Sequence, residues 1–427
     1  MSIFLPPRPP DLGDPARVDQ EALIEEARRR TRRRRQRNLA GLLAAVLGAL
    51  SLYSLLGGSG PENSGALPSD SSFGVGASAT PAHKNGRIAF LAAWNTWTSG
   101  GVWRIDTINP DGSGRRTLTR CKSVPSACSY QDFNWSPDGK RFAFERDQTL
   151  YNGSEPSNPD VRLFVVKADG SGETRIPGCG RPWLACDTFT WAPDSRRIAF
   201  SRGGSVYVVD TLGGRPVRII HGHCCSGGPF WSGGPFWSPN GSSILFGSTR
   251  GGIYRVNGDG SGLTRLARGS SPSWSPDGRR IVFVSPGNGR PGNSILAMDA
   301  NGSHVATLFS VGRYSAKHPY IPVWSPDGTQ IAFGMAPPYW AATVRAEIWT
   351  MRANGTQLRR LYRSGAIDGP EVAIPVWSPD GKLIAFGRPG VQHRGLVLLH
   401  ASGKPRPRRL APDAEGFAWQ SLPRSSR

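Results

Sequence analysis

The chain has 427 residues, and its 54 glycines and 37 prolines make up about a fifth of it. So many turn formers exclude a mainly helical protein and leave a turn-rich, mostly β chain, long enough for two or three ordinary domains or one large repeat array. The net charge of +21 favours contact with polyanions over contact with cationic partners, or else reflects an arginine-rich solvated surface.

Residues 1–38 are polar and basic, ending in RRRTRRRRQRN with eight arginines between Arg28 and Arg37. Within them, DPARVDQEALIEEARRR reads as a helix capped near Asp14 with Pro15 in its first turn, too short for an output domain. Next, LAGLLAAVLGALSLYSLLG, Leu39–Gly57, runs 19 residues without a charge. A membrane-spanning helix needs about 20 residues, and the arginine flank holds its own end in the cytoplasm. The pattern therefore predicts a basic cytoplasmic segment over 1–38, a single transmembrane helix over 39–57 and an extracytoplasmic remainder. A cleaved signal peptide would carry a shorter apolar stretch with a small-residue site directly after it; the ASA run at Ala77–Ala79 is too far downstream. The paired arginines also allow a twin-arginine export signal. Residues 58–84, rich in Gly, Ser, Pro and Ala, read as a flexible tether.

A repeat then governs the chain. NWSPDGKRFAF begins at Asn134, TWAPDSRRIAF at Thr190, FWSPNGSSILF at Phe236, SWSPDGRRIVF at Ser273, VWSPDGTQIAF at Val323 and VWSPDGKLIAF at Val376. The tryptophans are Trp135, Trp191, Trp237, Trp274, Trp324 and Trp377, spaced 56, 46, 37, 50 and 53 residues apart. In each unit a short apolar strand ends at the Trp. Ser-Pro-Asp-Gly turns the chain, because Pro presets φ and Gly accepts positive φ. A second strand ends in Ile-Ala-Phe or a near equivalent. A third follows a variable loop, and a DGSG, NGS or NGT turn leads to a fourth. Four antiparallel strands in about 40–50 residues make one propeller blade.

The ends complete the ring. Asn85–Phe90, Val102–Thr107 and Arg115–Thr119 supply second, third and fourth strands without a first. Gly416–Gln420 supplies a first strand, with Trp419 at blade spacing after Trp377. The expectation is an all-β, seven-bladed β-propeller over 85–422, closed by pairing of its N- and C-terminal strands, preceded by the single transmembrane helix and followed by a tail over 423–427. The duplicated GGPFWS at Gly227–Ser238 fits this scheme: Trp237 leads into a turn and is the blade tryptophan, whereas Trp231 lies in the connection before it.

The WSPDGKxIAF units resemble the PD40, WD40-like repeats of the TolB propeller family, from about Asn85 to Gln420. The resemblance implies an extracytoplasmic, non-enzymatic propeller that works by binding other proteins. This chain departs from the family's namesake in three ways. It supplies seven blades instead of six, lacks a separate α/β domain before the propeller, and carries a predicted anchor.

The SPDG and DGSG turns share one face and keep a nearly constant length. The opposite face carries the loops after the second strand and the connections between blades, and these vary widely. Function usually sits on variable loops held by a rigid scaffold. The aromatics assigned to that face are Trp94, Trp97, Tyr151, Trp183, Trp231, Tyr314, Tyr320, Tyr339 and Trp340, residue types that anchor binding surfaces or else pack over blade tops. All six cysteines fall there too. Outside the cytoplasm an even count reads as disulfides: Cys121–Cys128 and Cys179–Cys186, each pair seven residues apart, with the pairing of Cys224 and Cys225 open. HGHCC, with His221 and His223, has metal-ligand chemistry, but oxidised cysteines would remove it, and no metal or cofactor is expected. The DGSG turns lack the acidic ligands of a calcium loop.

No nucleophile-elbow G-x-S-x-G occurs, and Glu145, Asp147, His318 and His393 show no catalytic spacing. No catalytic residue is assigned. The expectation is a non-catalytic scaffold that binds a protein or an anionic envelope polymer, with a single membrane span and no nucleic acid partner. A propeller hydrolase or lyase using the central funnel is the alternative.

Overall fold

The structure, a computed structural model, describes residues 83–93, 103–121, 129–147, 150–152, 155–157, 161–180, 186, 188–222, 234–248, 251–286, 292–312, 315, 317–337, 343–364, 367–368, 374–388, 395–404 and 406–423. All lie in the second of two compact units, Phe73–Arg427. The predicted span over 39–57 lies outside the described residues. Among the described residues no helix is long and apolar enough to cross a membrane.

Seven four-stranded antiparallel sheets form the blades. Blade one joins Ala414–Pro423 to His83–Ala93, Trp103–Ile108 and Arg116–Arg120. Blade two holds Ser129–Trp135, Arg141–Asp147, Val161–Lys167 and Thr174–Arg175, and blade three Thr188–Trp191, Arg197–Arg202, Ser205–Asp210 and Val217–Ile220. Blade four holds Phe236–Trp237, Ser243–Gly247, Gly252–Asn257 and Thr264–Arg268, and blade five Ser270–Trp274, Arg280–Val284, Ser294–Asp299 and Ala306–Ser310. Blade six holds His318–Trp324, Gln330–Ala336, Glu347–Arg352 and Arg359–Arg363, and blade seven Val376–Trp377, Leu383–Arg388, Gly395–His400 and Arg408–Ala411. The ring closes as the sequence predicts, with Ile88 opposite Trp419 and Ala89 opposite Ala418. The first propeller strand starts at His83, two residues before the boundary read from sequence.

The repeat acts through register. Each of these blade tryptophans faces the apolar second residue of the next strand: Trp135 faces Phe142, Trp191 Ile198, Trp237 Ile244, Trp274 Ile281, Trp324 Ile331 and Trp377 Ile384. All except Trp274, which is half-buried, are buried. Seven apolar clusters hold the ring, and each is built from two consecutive blades. The cluster between blades seven and one contains Ile88, Phe90 and Trp419 with Ala385, Leu396 and Leu398. A fully buried Phe or Ile side chain contributes about 1.5–3 kcal/mol, so these clusters are the main source of stability. In three blades an arginine also lies over the next blade's tryptophan: Arg141 on Trp191, Arg197 on Trp237 and Arg280 on Trp324.

The turns carry a second set of contacts between blades. In the SPDG turns the serine hydroxyl accepts a backbone N–H and donates to the Asp carboxylate, as in Ser136–Asp138 at 2.6 Å. Blade three reads APDS, and Ser195 occupies the glycine position at φ 57°. Its hydroxyl accepts the Asp138 N–H of the preceding blade at 2.9 Å. Asn85 does the same for Asp380 at 3.1 Å. The turn before the fourth strand presses on the preceding blade. Gly355 sits at φ 84°, and a Cβ there would lie 2.5 Å from the Leu308 carbonyl.

Gly355→Ala should therefore cost about 2–4 kcal/mol, from left-handed strain and the blade clash together. Gly251→Ala has a similar φ of 72° but open space around it, and should cost only about 1–2 kcal/mol. Denaturant unfolding of the two variants separates the clash from the strain.

Candidate binding face

Strand direction fixes the two faces. The first strand of each blade enters the SPDG turn, and the third strand enters the DGSG-type turn at the same end. A recurring bond ties the two, as in Ala168 N–H to Lys140 carbonyl, Gly258 to Ser242 and Ala353 to Thr329, each 2.9 Å. All loops from second to third strand, and all connections between blades, leave from the opposite end. This is the variable face expected from sequence.

Two of its loops form sheet of their own. In blade two the second strand runs on to Asp147, and Leu150–Asn152 pairs with Glu155–Ser157. In blade six Thr343–Val344 pairs with Ile367–Asp368, joining the loop of that blade to its connection into blade seven. Tyr151 lies in the first of these hairpins. Trp94, Trp97, Trp183, Trp231, Tyr314, Tyr339 and Trp340 lie outside the described residues.

Tyr320 is described. It is half-buried on the first strand of blade six, and burial pushes its phenol pKa up. Beside it the strand bulges between Tyr320 and Val323, with Ile321 at φ 44°. Such a conformation is unusual for a β-branched residue. Blades two and five bulge at the same place, between Tyr130 and Phe133 and between Ser270 and Ser273.

The Cys179–Cys186 disulfide is present, with both cysteines buried and a Cα–Cα distance of 5.5 Å. It closes the loop that carries Trp183. Cys121 is disulfide-bonded; Cys128, Cys224, Cys225 and His223 lie outside the described residues, and His221 is exposed. No group of three or more potential metal ligands occurs among the described residues.

The enzyme candidates are not gathered. Glu145 and Asp147 lie on blade two and His318 on blade six; His393 is outside the described residues. His318 is buried, and that burial holds its pKa below the ordinary value. Desolvation raises the pKa of Asp132, against hydrogen bonds from Thr188 and the Phe189 and Phe133 amides. The bonds from Thr188 and Phe189 tie the first strands of blades two and three together.

One cluster on this face was missed in the sequence. The Glu347 side chain is 3% exposed and meets Lys317 at 2.6 Å, Arg363 at 3.4 Å and Arg360 at 3.7 Å. The Trp349 indole donates to its other oxygen at 2.9 Å. Burial acts to raise the Glu347 pKa, but the lysine, the indole and the arginine outweigh it and leave it lowered. Three half-exposed cations thus surround one carboxylate. Only register brings them together: Glu347 pairs with Arg363, and Trp349 with Arg360.

A family model described as the TolB beta propeller domain, PD40, matches residues 82–316. The chain belongs to this TolB-type propeller family. The match spans blades one to five, and the same WSPDG unit continues through blades six and seven. An uncharacterized protein of Agrobacterium fabrum is 28% identical over 250 residues, covering 47% of this chain and 82% of its own length. Among solved structures, a protein assigned as TolB from Agrobacterium tumefaciens is 21% identical, with 70% of this chain and 95% of the other covered and a TM-score of 0.42. An oligogalacturonate lyase in complex with manganese is 12% identical over 77% of this chain and 86% of its own, with a TM-score of 0.50. At such identity the likeness to the lyase is one of fold.

Because the folded-state pKa of Glu347 is lowered, its contribution to stability is fully present at neutral pH. It is lost as pH falls from about 4.5 through the folded-state value. Glu347→Gln should destabilise the protein by about 1–3 kcal/mol at pH 7, and the difference from wild type should shrink in acid. Urea unfolding at neutral and acidic pH measures both.

Proposed function

We propose that this propeller is a non-catalytic binding scaffold of the cell envelope, anchored by a helix over residues 39–57 and facing outward. The observation that carries this reading is the division of the ring into one face of short, near-identical turns and one face of loops that differ widely in length and form. The two extra sheets and the Cys179–Cys186 bridge give loops of that second face a fixed form. A scaffold that presents a preformed surface loses less entropy on binding. Family membership supports the same reading. Trp183 and Trp340 belong to the two stabilised loop regions and are the proposed anchors for a protein partner. The net positive charge offers a second kind of attachment, to an anionic envelope polymer.

The alternative is an enzyme. It draws on the shared fold with the oligogalacturonate lyase, but among the described candidates Glu145 and Asp147 share one strand of blade two while His318 lies on blade six. A turnover lost on their substitution would restore it.

The deciding experiment is capture from envelope extract with the detergent-solubilised full chain across a salt series. A discrete protein retained at high salt, and lost with Trp183→Ala or Trp340→Ala, is the expected result. Capture of polyanion alone, released as salt rises, would replace the protein scaffold with electrostatic attachment.

A further inference from the structure

Among the described residues five large apolar side chains stand exposed: Leu212 at 71%, Val217 at 62%, Leu263 and Val305 at 54%, and Leu358 at 43%. Four of the five lie between the third and fourth strands of a blade and Val217 opens a fourth strand, all at the turn face, and the blades are consecutive, three to six. Leu263, Val305 and Leu358 each immediately precede the fourth strand; Val217 opens it in blade three, and Leu212 sits in the turn before. Immediately before the fourth strand, blades seven, one and two carry Pro407, Arg115 and Glu173 and blade three carries Pro216, and among the described residues blades seven, one and two expose no large aliphatic side chain at this rim. One arc of the rim is thus apolar, and the rest is not.

The blades that carry the arc are basic as a whole. Residues 188–363, which make blades three to six, hold 19 Lys and Arg against seven Asp and Glu. Arg215, Arg218, Arg265 and Arg359 are exposed beside the apolar positions. The nearby turn carboxylates are engaged locally: Asp210 with Arg196 at 2.6 Å, Asp299 with His304 at 2.6 Å, and Asp259 with the Ser261 hydroxyl at 2.7 Å. Finally, the chain enters the propeller on this face, since His83 pairs with Pro423 at the turn end of blade one.

We infer that the turn-face rim of blades three to six rests on a lipid bilayer that contains anionic headgroups. The aliphatic side chains enter the acyl boundary and the arginines bind headgroup phosphates, the chemistry of an interfacial anchor. The apolar positions occur one or two to a blade along an arc. A broad, flat, anionic surface meets all of them together, whereas a compact partner would reach only one or two. The inference rests on fold, exposure and charge, and holds whether or not the variable face captures a protein.

The test is hydrogen exchange of the full chain in detergent, in phosphatidylcholine vesicles and in equimolar phosphatidylcholine–phosphatidylglycerol vesicles. Amides of 261–268, 303–310 and 356–363 should exchange about fivefold more slowly with phosphatidylglycerol than without it, the gain expected from one arginine near an anionic surface. Leu263→Asp with Leu358→Asp, both at exposed positions, should abolish the difference. Arg265→Ser with Arg359→Ser gives a second variant pair that leaves the aliphatic positions intact, and it should reduce the difference. Equal exchange in both vesicles would overturn the inference. So would protection already present in detergent, which would mean that the arc is covered by the chain itself. Protection that needs added envelope protein would overturn it as well and give the arc to a protein partner.

Discussion

A four-stranded sheet with two apolar faces cannot stand alone in water, and the whole molecule follows from that. Each blade here buries one face against the blade before it and the other against the blade after it. The seven clusters are therefore shared between neighbours, and none belongs to a single blade. An open array would leave two apolar faces in solvent at its ends. Closure removes both, which is why the first and last strands share a sheet. The repeated tryptophan is the local expression of the same constraint: it ends the first strand of a blade and fills the space against the neighbour.

The turns then act as clasps as well as reversals. The turn glycines are needed for φ and, at places such as Gly355, for the closeness of the preceding blade's backbone. Where glycine is absent, at Asn85 and Ser195, the side chain itself reaches the neighbouring Asp amide. The uniformity of this face has a mechanical origin, since every turn must fit the blade beside it. The loops opposite meet no such requirement and are free to diverge.

This difference decides what was legible in the sequence. Blade number, closure, the tryptophan register and the Cys179–Cys186 bridge all rest on short-range spacing, and a repeated spacing is visible without a fold. The pairing of Thr343–Val344 with Ile367–Asp368 joins two segments that carry no common pattern. The cations around Glu347 come from two segments outside its own strand, and Lys317 gives no sign of its partner thirty residues away. Leu263, Val305 and Leu358 resemble ordinary strand residues in the sequence. Only their exposure on consecutive blades sets them apart.

The closing blade also determines how the ring bears load. His83–Ala93 is an inner strand of its sheet, paired on one side with Trp103–Ile108 and on the other with Ala414–Pro423. Tension arriving from the N-terminal side acts along this strand, so the hydrogen bonds of both ladders resist it in parallel as shear. The ring is thus held most firmly where the chain enters it. Removing the last ten strand residues would leave the entering strand at an edge with a single ladder, so the C-terminus acts as the latch for a force applied at the opposite end of the sequence.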